Sequence, residues 1–286
     1  MIATPSPESL ISVARNPAML DALADIASAA GAVIMPYLAH VAAETKADGS
    51  PVTMADREAE ALILARLATL LPGVPVVSEE AASEGRIPAI GEDFILVDAL
   101  DGTKEFLARA AHFTVNIGLV HRGQPVAGVV YAPALQQLWL AGTRAETLRL
   151  TPGQSVREAR GRSPIHIRPF PNGPVTAMSS LRHQNAETEG FLSRLPLARH
   201  ERAGSSLKFC LLAEGRADVY PRFSPTMEWD TAAGDAVVRA AGGVVMTLDG
   251  APLAYGKVAA GYRNPGFVAT SDWRRCAALA GLPAPD

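Results

Sequence analysis

The sequence predicts an α/β fold of the layered α+β kind, with an antiparallel sheet in its first half and a mixed sheet in its second. Three observations carry that prediction. Apolar segments at 113–120, 124–131 and 137–141 follow one another across short turns containing Gly or Pro, the pattern of an antiparallel meander. Beyond residue 174 the pattern changes. Strand-like runs at 175–178, 217–220, 244–247 and 267–269 alternate with helical runs at 187–195, 206–214, 230–241 and 273–279, as in an α/β layer with a partly parallel sheet. Between the two regimes, 157–174 is rich in Arg, Gly and Pro and marks the boundary of two subdomains, 1–165 and 166–286.

The first half opens with a helix over 19–38, whose apolar positions Leu20, Leu23, Ile26, Val33 and Ile34 recur at helical spacing. Thr53-Met-Ala-Asp56 has the form of a capping box, so a second helix starts there and runs through Leu62, Leu67 and Leu71 to Pro72-Gly73. Short buried strands follow at 74–77, ending on Ser78-Glu79-Glu80, and at 94–97, ending on Asp98.

Composition narrows the function. The chain has 286 residues, 48% of them apolar and 19% charged, which is the balance of a globular protein. A net charge of −3 gives no basic surface for nucleic acid. Two cysteines, Cys210 and Cys276, cannot form a disulfide framework and fit a reducing cytoplasm. The most apolar N-terminal stretch, 18–41, is broken by Asp21 and Asp25 and lacks a basic leader, so no integral membrane segment is expected. Lysine is kept at only Lys46, Lys104, Lys208 and Lys257 in an arginine-rich chain, which singles out those four as places where a compact ammonium could be needed.

The sharpest chemical feature is Val97-Asp98-Ala-Leu-Asp101-Gly102-Thr103. A buried strand delivers Asp98, a turn follows, and Asp101-Gly102-Thr103 opens a helical turn. Two carboxylates around a tight turn can converge on a hard cation, and the Leu100 carbonyl can complete an oxygen ligand set. The free N–H groups of the helical start would then lie where a phosphate binds. An ordinary Asp-Gly turn explains the same residues without chemistry. Glu79-Glu80 reads equally as solvated charge or as a ligand source, and Asp230 as a helix N-cap or as a cap that also ligates a cation. Asp56 is similarly a capping acid with a second possible use. No Walker loop accompanies the Asp98 strand, and the two aspartates are three apart rather than two, which removes two other phosphate-handling templates.

Order and spacing together point further. Lys46-Ala-Asp-Gly-Ser-Pro-Val-Thr53, Val77-Ser-Glu-Glu80, Leu96-Val-Asp-Ala-Leu-Asp-Gly-Thr-Lys-Glu-Phe106 and Phe113-Thr-Val-Asn-Ile117 are joined by Gly128-Val-Val-Tyr-Ala-Pro133. Gly204-Ser-Ser-Leu-Lys-Phe-Cys210, Tyr220-Pro-Arg-Phe223 and Trp229-Asp-Thr-Ala-Ala-Gly234 complete the set. It resembles the inositol monophosphatase-like superfamily of Mg²⁺-dependent, lithium-sensitive phosphatases, and within it the 3′(2′),5′-bisphosphate nucleotidase branch. The branch rests mainly on the segments at 204–210 and 220–229.

The resemblance implies an alternating α-β-α-β-α sandwich of the sugar-phosphatase type and a site with two or more Mg²⁺ ions. Glu79, Asp98 and the Leu100 carbonyl would hold one cation, and Asp98, Asp101 and Asp230 a second. Thr103 and Asp56 would orient the attacking water, assisted by Glu79. The Gly102 and Thr103 amides would receive the phosphate, while Ser205, Ser206, Lys208, His183 and Asp230 would bind the nucleotide. The implied reaction removes the 3′-phosphate of adenosine 3′,5′-bisphosphate, with 3′-phosphoadenylyl sulfate as a second substrate and a place in sulfur assimilation. Two departures stand out: Ala99 replaces a usual proline, and Leu181-Arg182 precede His183 where arginine and serine are expected. The alternatives are an inositol or fructose phosphatase of the same superfamily and a catalytically silent nucleotide-binding protein. A monomer and a homodimer are both compatible with the sequence.

Overall fold

The computed structural model describes residues 9–39, 44–45, 51–182 and 185–283. Asn16 opens the main N-terminal helix, its side chain accepting the Ala18 N–H at 3.1 Å with Pro17 at the first helical position. The first half contains α1 (Leu10–Arg15), α2 (Pro17–Ile34), a two-stranded ribbon of β1 (Glu44–Thr45) and β2 (Pro51–Val52), and α3 (Met54–Leu70). Then come β3 (Val76–Ser78), α4 (Glu79–Ser83), β4 (Asp93–Asp101), α5 (Thr103–Leu107), β5 (Thr114–His121) and β6 (Gln124–Ala132). The antiparallel sheet is completed by β7 (Gln137–Ala141), β8 (Ala145–Arg149) and β9 (Arg160–Pro164). It has seven strands in the order β3 to β9, only the β3–β4 pair being parallel. The helix α1 and the strands β8 and β9 were not foreseen; β9 is exposed throughout and so lacks the apolar alternation that reveals a strand.

The second half contains β10 (Val175–Ser180), α6 (Ala186–Leu192), β11 (Leu197–Ala203), α7 (Leu207–Ala213), β12 (Val219–Arg222) and β13 (Thr226–Met227). A 3₁₀ turn at Glu228–Asp230 leads into α8 (Ala232–Ala240), β14 (Val244–Thr247), β15 (Arg263–Asn264), β16 (Phe267–Thr270) and α9 (Trp273–Ala280). Its five-stranded sheet runs β11-β10-β12-β16-β14, parallel on the β11–β10–β12 side and antiparallel on the other. The unforeseen strand β11, Leu-Ala-Arg-His-Glu-Arg-Ala, is an edge strand almost without apolar side chains.

The α-β-α-β-α layering holds. One core packs α1, α2 and α3 on one face of the large sheet; a second fills the space between that sheet, α7, α8 and the small sheet; a third lies between the small sheet, α6 and α9. Residues 17–39 form a helical stretch long and apolar enough to cross a membrane by length and composition. Here Leu23, Ala27, Ala30 and Ile34 are instead buried in the N-terminal core.

How closely α8 approaches the sheet matters for the site, because α8 follows directly on Asp230. Gly118 and Gly128 face each other across β5 and β6. A Cβ on Gly118 would meet Ala232 Cβ at 2.7 Å and the Ala233 nitrogen at 2.9 Å; one on Gly128 would meet the Ala233 carbonyl oxygen at 2.7 Å. Backbone thus lies on backbone, and neither neighbour can yield. Gly118→Val is expected to lower stability by about 1–3 kcal/mol and to weaken divalent-cation binding through the displaced α8. Thermal melts and a cation titration check this; an unchanged melting temperature would contradict the contact.

Candidate active site

Strand β4 does not stop at Asp98 as the sequence suggested. It continues to Asp101 through a bulge, in which the three steps from Asp98 to Asp101 oppose the two from Asn116 to Thr114. In a regular strand, residues three apart point to opposite faces. The bulge cancels that alternation, and both carboxylates line the same cleft. Glu79 arrives at the first turn of α4, whose Glu80 and Ala81 N–H groups are capped by the Glu60 carboxylate at 2.9 and 3.0 Å. Asp230 arrives from the second half, on the 3₁₀ turn before α8.

Glu79, Asp98 and Asp230 each bring one carboxylate oxygen within 4.8 Å of the others. Asp98 is buried; its Oδ1 accepts the Leu100 N–H at 3.0 Å, while its Oδ2 has no hydrogen-bond partner among the described residues. An orphaned carboxylate oxygen in the interior is costly unless a cation meets it. Burial first, then the neighbouring charges of Glu79, Asp101, Asp230 and Asp56, pushes the Asp98 carboxyl well above the usual carboxylate range. Burial, Asp101 and Glu79 do the same to Asp230. This all-oxygen donor set fits a hard divalent cation. Asp101 lines the same cleft but stands outside the trio, its Oδ2 held by the hydroxyls of Ser205 at 2.7 Å and Ser206 at 3.1 Å.

Asp230 is not the N-cap of α8; Thr231 holds that position. Asp230 Oδ2 accepts the Met227 N–H at 2.8 Å, which closes the 3₁₀ turn. Asp56, by contrast, serves both of its readings. Its Oδ2 accepts the Thr53 N–H at 2.8 Å and the Thr53 hydroxyl at 2.6 Å, and its Oδ1 lies 3.3 Å from the Thr103 hydroxyl. Thr103 Oγ1 is also 3.3 Å from the Leu100 carbonyl. Gly102 sits between them at φ 92°, where an L side chain would be strained.

The wall from the second half departs from expectation at Ser206. Ser206 is buried, its hydroxyl bound to Asp101 Oδ2 and the Asp230 carbonyl instead of lining the cleft. Lys208, expected in this wall, does line the cleft and is buried there. Its Nζ donates to the carbonyls of Ala203 and Ser205 and lies 5.4 Å from the Tyr220 ring centre. Burial, followed by the nearby Arg222 charge, lowers its pKa to about 8. The cleft between these walls has a volume of about 280 Å³. His183 and the segment at 46–50, with Lys46 and Asp48, lie outside the described residues.

Three contributors carried a signal in the sequence that was not used. Thr114 and Asn116 are polar residues two apart on an otherwise apolar strand, so they share one face. That is the face of Gly118, turned toward the second half, where Asn116 meets Ser206 and Thr114 meets Ser205. Arg222, inside the Tyr-Pro-Arg-Phe motif, lines the cleft beside Lys208.

The model of the inositol monophosphatase family matches residues 16–278. The 3′(2′),5′-bisphosphate nucleotidase CysQ of Escherichia coli (strain K12) is 42% identical over 253 residues, covering 87% of this chain and 98% of its own. The nucleotidase of the same name from Buchnera aphidicola is 36% identical over 259 residues, covering 88% and 94% respectively. Among solved structures, CysQ from Bacteroides thetaiotaomicron, a bacterial member of that family, matches with a TM-score of 0.74 and 36% identity, over 89% of this chain and 98% of that one.

Proposed function

Since the chain belongs to the inositol monophosphatase family, we propose that it acts as a metal-dependent 3′(2′),5′-bisphosphate nucleotidase, removing the 3′-phosphate of adenosine 3′,5′-bisphosphate to give AMP and phosphate. 3′-Phosphoadenylyl sulfate is a second substrate, which connects the enzyme to sulfur assimilation. One observation carries the reading beyond a general phosphatase. A single cleft is lined by a carboxylate cluster and by three cationic residues, Lys104 from the first half and Lys208 and Arg222 from the second. A substrate with one phosphate to be cleaved and another to be held uses both the carboxylate cluster and the cations; inositol 1-phosphate has no second phosphate to hold. The same reading divides the chain into subdomains 1–165 and 166–286, both contributing to the site.

In this reading Glu79, Asp98 and the Leu100 carbonyl would hold one Mg²⁺, and Asp98, Asp101 and Asp230 would share another. Bound there, the cations supply charge neutralisation for the phosphate and activation of water at neutral pH. The protein's own groups do the rest. The Thr103 hydroxyl, donating toward Asp56 Oδ1, keeps its oxygen lone pairs available to orient the attacking water, and Glu79 assists as acceptor. The Gly102 and Thr103 amides at the start of α5 receive phosphate oxygens. Lys208 has three N–H bonds and spends two on carbonyls, so one is left for the remote phosphate or the sugar. Ser205 completes that wall; His183 is its remaining candidate.

A Lys208→Met variant tests the nucleotide assignment, because it keeps an apolar stem over Tyr220 while deleting the charge. The kcat/KM for adenosine 3′,5′-bisphosphate is expected to fall by about 1.5–3 kcal/mol, mainly through KM, with inositol 1-phosphate little affected. Equal losses for both substrates, or none for either, would remove the support that Lys208 gives to the nucleotide branch.

A further inference from the structure

Ser206 has one hydroxyl hydrogen and two acceptors, and they belong to different halves of the molecule. Asp101 Oδ2, from β4, lies at 3.1 Å; the carbonyl of Asp230, from the second half, lies at 2.8 Å. Asn116 of β5 fixes the hydroxyl in place, its Nδ2 donating to Ser206 Oγ at 2.9 Å while also lying 3.5 Å from Asp101 Oδ2. Thr114 extends the chain, donating to Asn116 Oδ1 at 3.1 Å and meeting the Ser205 hydroxyl, which donates to Asp101. Thr114, Asn116 and Ser206 are all buried, so these hydrogen bonds do not exchange freely with water. The turn carrying Ser205 and Ser206 is itself fixed: Ser205 has φ 54°, strained for a non-glycine residue, and the Lys208 ammonium holds its carbonyl.

We infer that Ser206 and Asn116 are positioning residues that set the separation of Asp101 and Asp230 and thereby the affinity for the cation these two carboxylates would share. Asp101 Oδ2 accepts the Ser205 hydroxyl, so its Oδ1 would be the oxygen free for a cation, and the one Ser206 hydrogen, shared between Asp101 Oδ2 and the Asp230 carbonyl, links that carboxylate to the backbone of the other ligand. Groups one step behind metal ligands typically govern affinity by about 10–100-fold. The inference rests on the two-cation reading of the carboxylate cluster.

The experiment is a calorimetric titration of Mg²⁺, in the presence of inorganic phosphate, into the wild type, Ser206→Ala, Asn116→Ala and Thr270→Val. Thr270 is a control: a buried hydroxyl donating to the Asp218 carbonyl at 3.0 Å, away from the carboxylates. Melting temperatures are measured alongside without metal. One Mg²⁺ event in wild type is expected to weaken about tenfold in both Ser206→Ala and Asn116→Ala, and to be unchanged in Thr270→Val whatever its loss of melting temperature. If the two site variants lose melting temperature as Thr270→Val does and keep the wild-type isotherm, their role is structural and the inference is overturned. If wild type itself binds no Mg²⁺, the carboxylate reading fails and the inference fails with it.

Discussion

Asp98→Asn is expected to leave the protein folded and to lower kcat by at least about a hundredfold, equivalent to about 2.7 kcal/mol of transition-state stabilisation. The two expectations have separate causes. Folding is preserved because asparagine has nearly the same shape and its Oδ1 can still accept the Leu100 N–H that Asp98 accepts at 3.0 Å. Activity is lost because Asp98 is the residue proposed to serve both cations, and an amide in place of its unpartnered Oδ2 would bring them no charge. Phosphate release at saturating substrate and Mg²⁺, together with circular dichroism, checks both. A folded variant that keeps more than about a tenth of the wild-type turnover, a loss below about 1.4 kcal/mol, would remove Asp98 from the bridging role.

The second large effect concerns stability without metal. The Asp98 and Asp230 carboxyls are raised well above the ordinary range, by burial first and then by the acidic groups around them, Glu79 and Asp101 foremost. A carboxyl with a raised folded-state pKa contributes stability at low pH, below its unfolded value, and that contribution is lost as pH rises through the folded value. Metal-free protein is therefore expected to melt at progressively lower temperature as pH is raised from 5 to 8, a window above the unfolded carboxylate value of about 4. Divalent cation should reverse the loss, by about 2.7 kcal/mol at a hundredfold excess over its dissociation constant. Asp98→Asn, with one buried charge fewer, should flatten the pH dependence in EDTA and melt higher than wild type. Melts across that pH range, with EDTA or with Mg²⁺, give the answer. A metal-free melting temperature that climbs with pH would mean that the cluster is not destabilising.

Stability and activity thus pull Asp98 in opposite directions, which explains why this part of the site was partly legible in the sequence. A charged residue closing a run as apolar as Phe-Ile-Leu-Val is out of place for packing alone, and its spacing from Asp101 and Thr103 is visible directly. The layers were legible for a related reason. The glycine and proline turns of the meander and the alternation after residue 174 are local signals, and local signals survive in one dimension.

What was hidden depends on contacts between distant segments. No local rule shows that a bulge carries β4 past Asp98 and turns Asp101 onto the same cleft, because the bulge is defined by pairing with Thr114 and Asn116. Asp230 has the composition of an N-cap, yet the chain makes a 3₁₀ turn first and leaves the cap to Thr231. Ser206 looks like a cleft residue beside Ser205, but the helix beginning at Leu207 buries it between two metal-ligand candidates. Lys208 stands out in the sequence as a retained ammonium, but its burial beside Tyr220 and two carbonyls depends on contacts that no local pattern shows.

The most direct measurement is kcat/KM for phosphate release from adenosine 3′,5′-bisphosphate, inositol 1-phosphate and fructose 1,6-bisphosphate, each with Mg²⁺ under the same conditions. A cleft lined by both carboxylates and the cationic Lys208 and Arg222 predicts that the nucleotide is preferred over inositol 1-phosphate by at least about a hundredfold, or about 2.7 kcal/mol in the transition state, and the nucleotidase reading predicts that it is also preferred over fructose 1,6-bisphosphate. An equal or greater kcat/KM for inositol 1-phosphate or fructose 1,6-bisphosphate would contradict the nucleotidase reading.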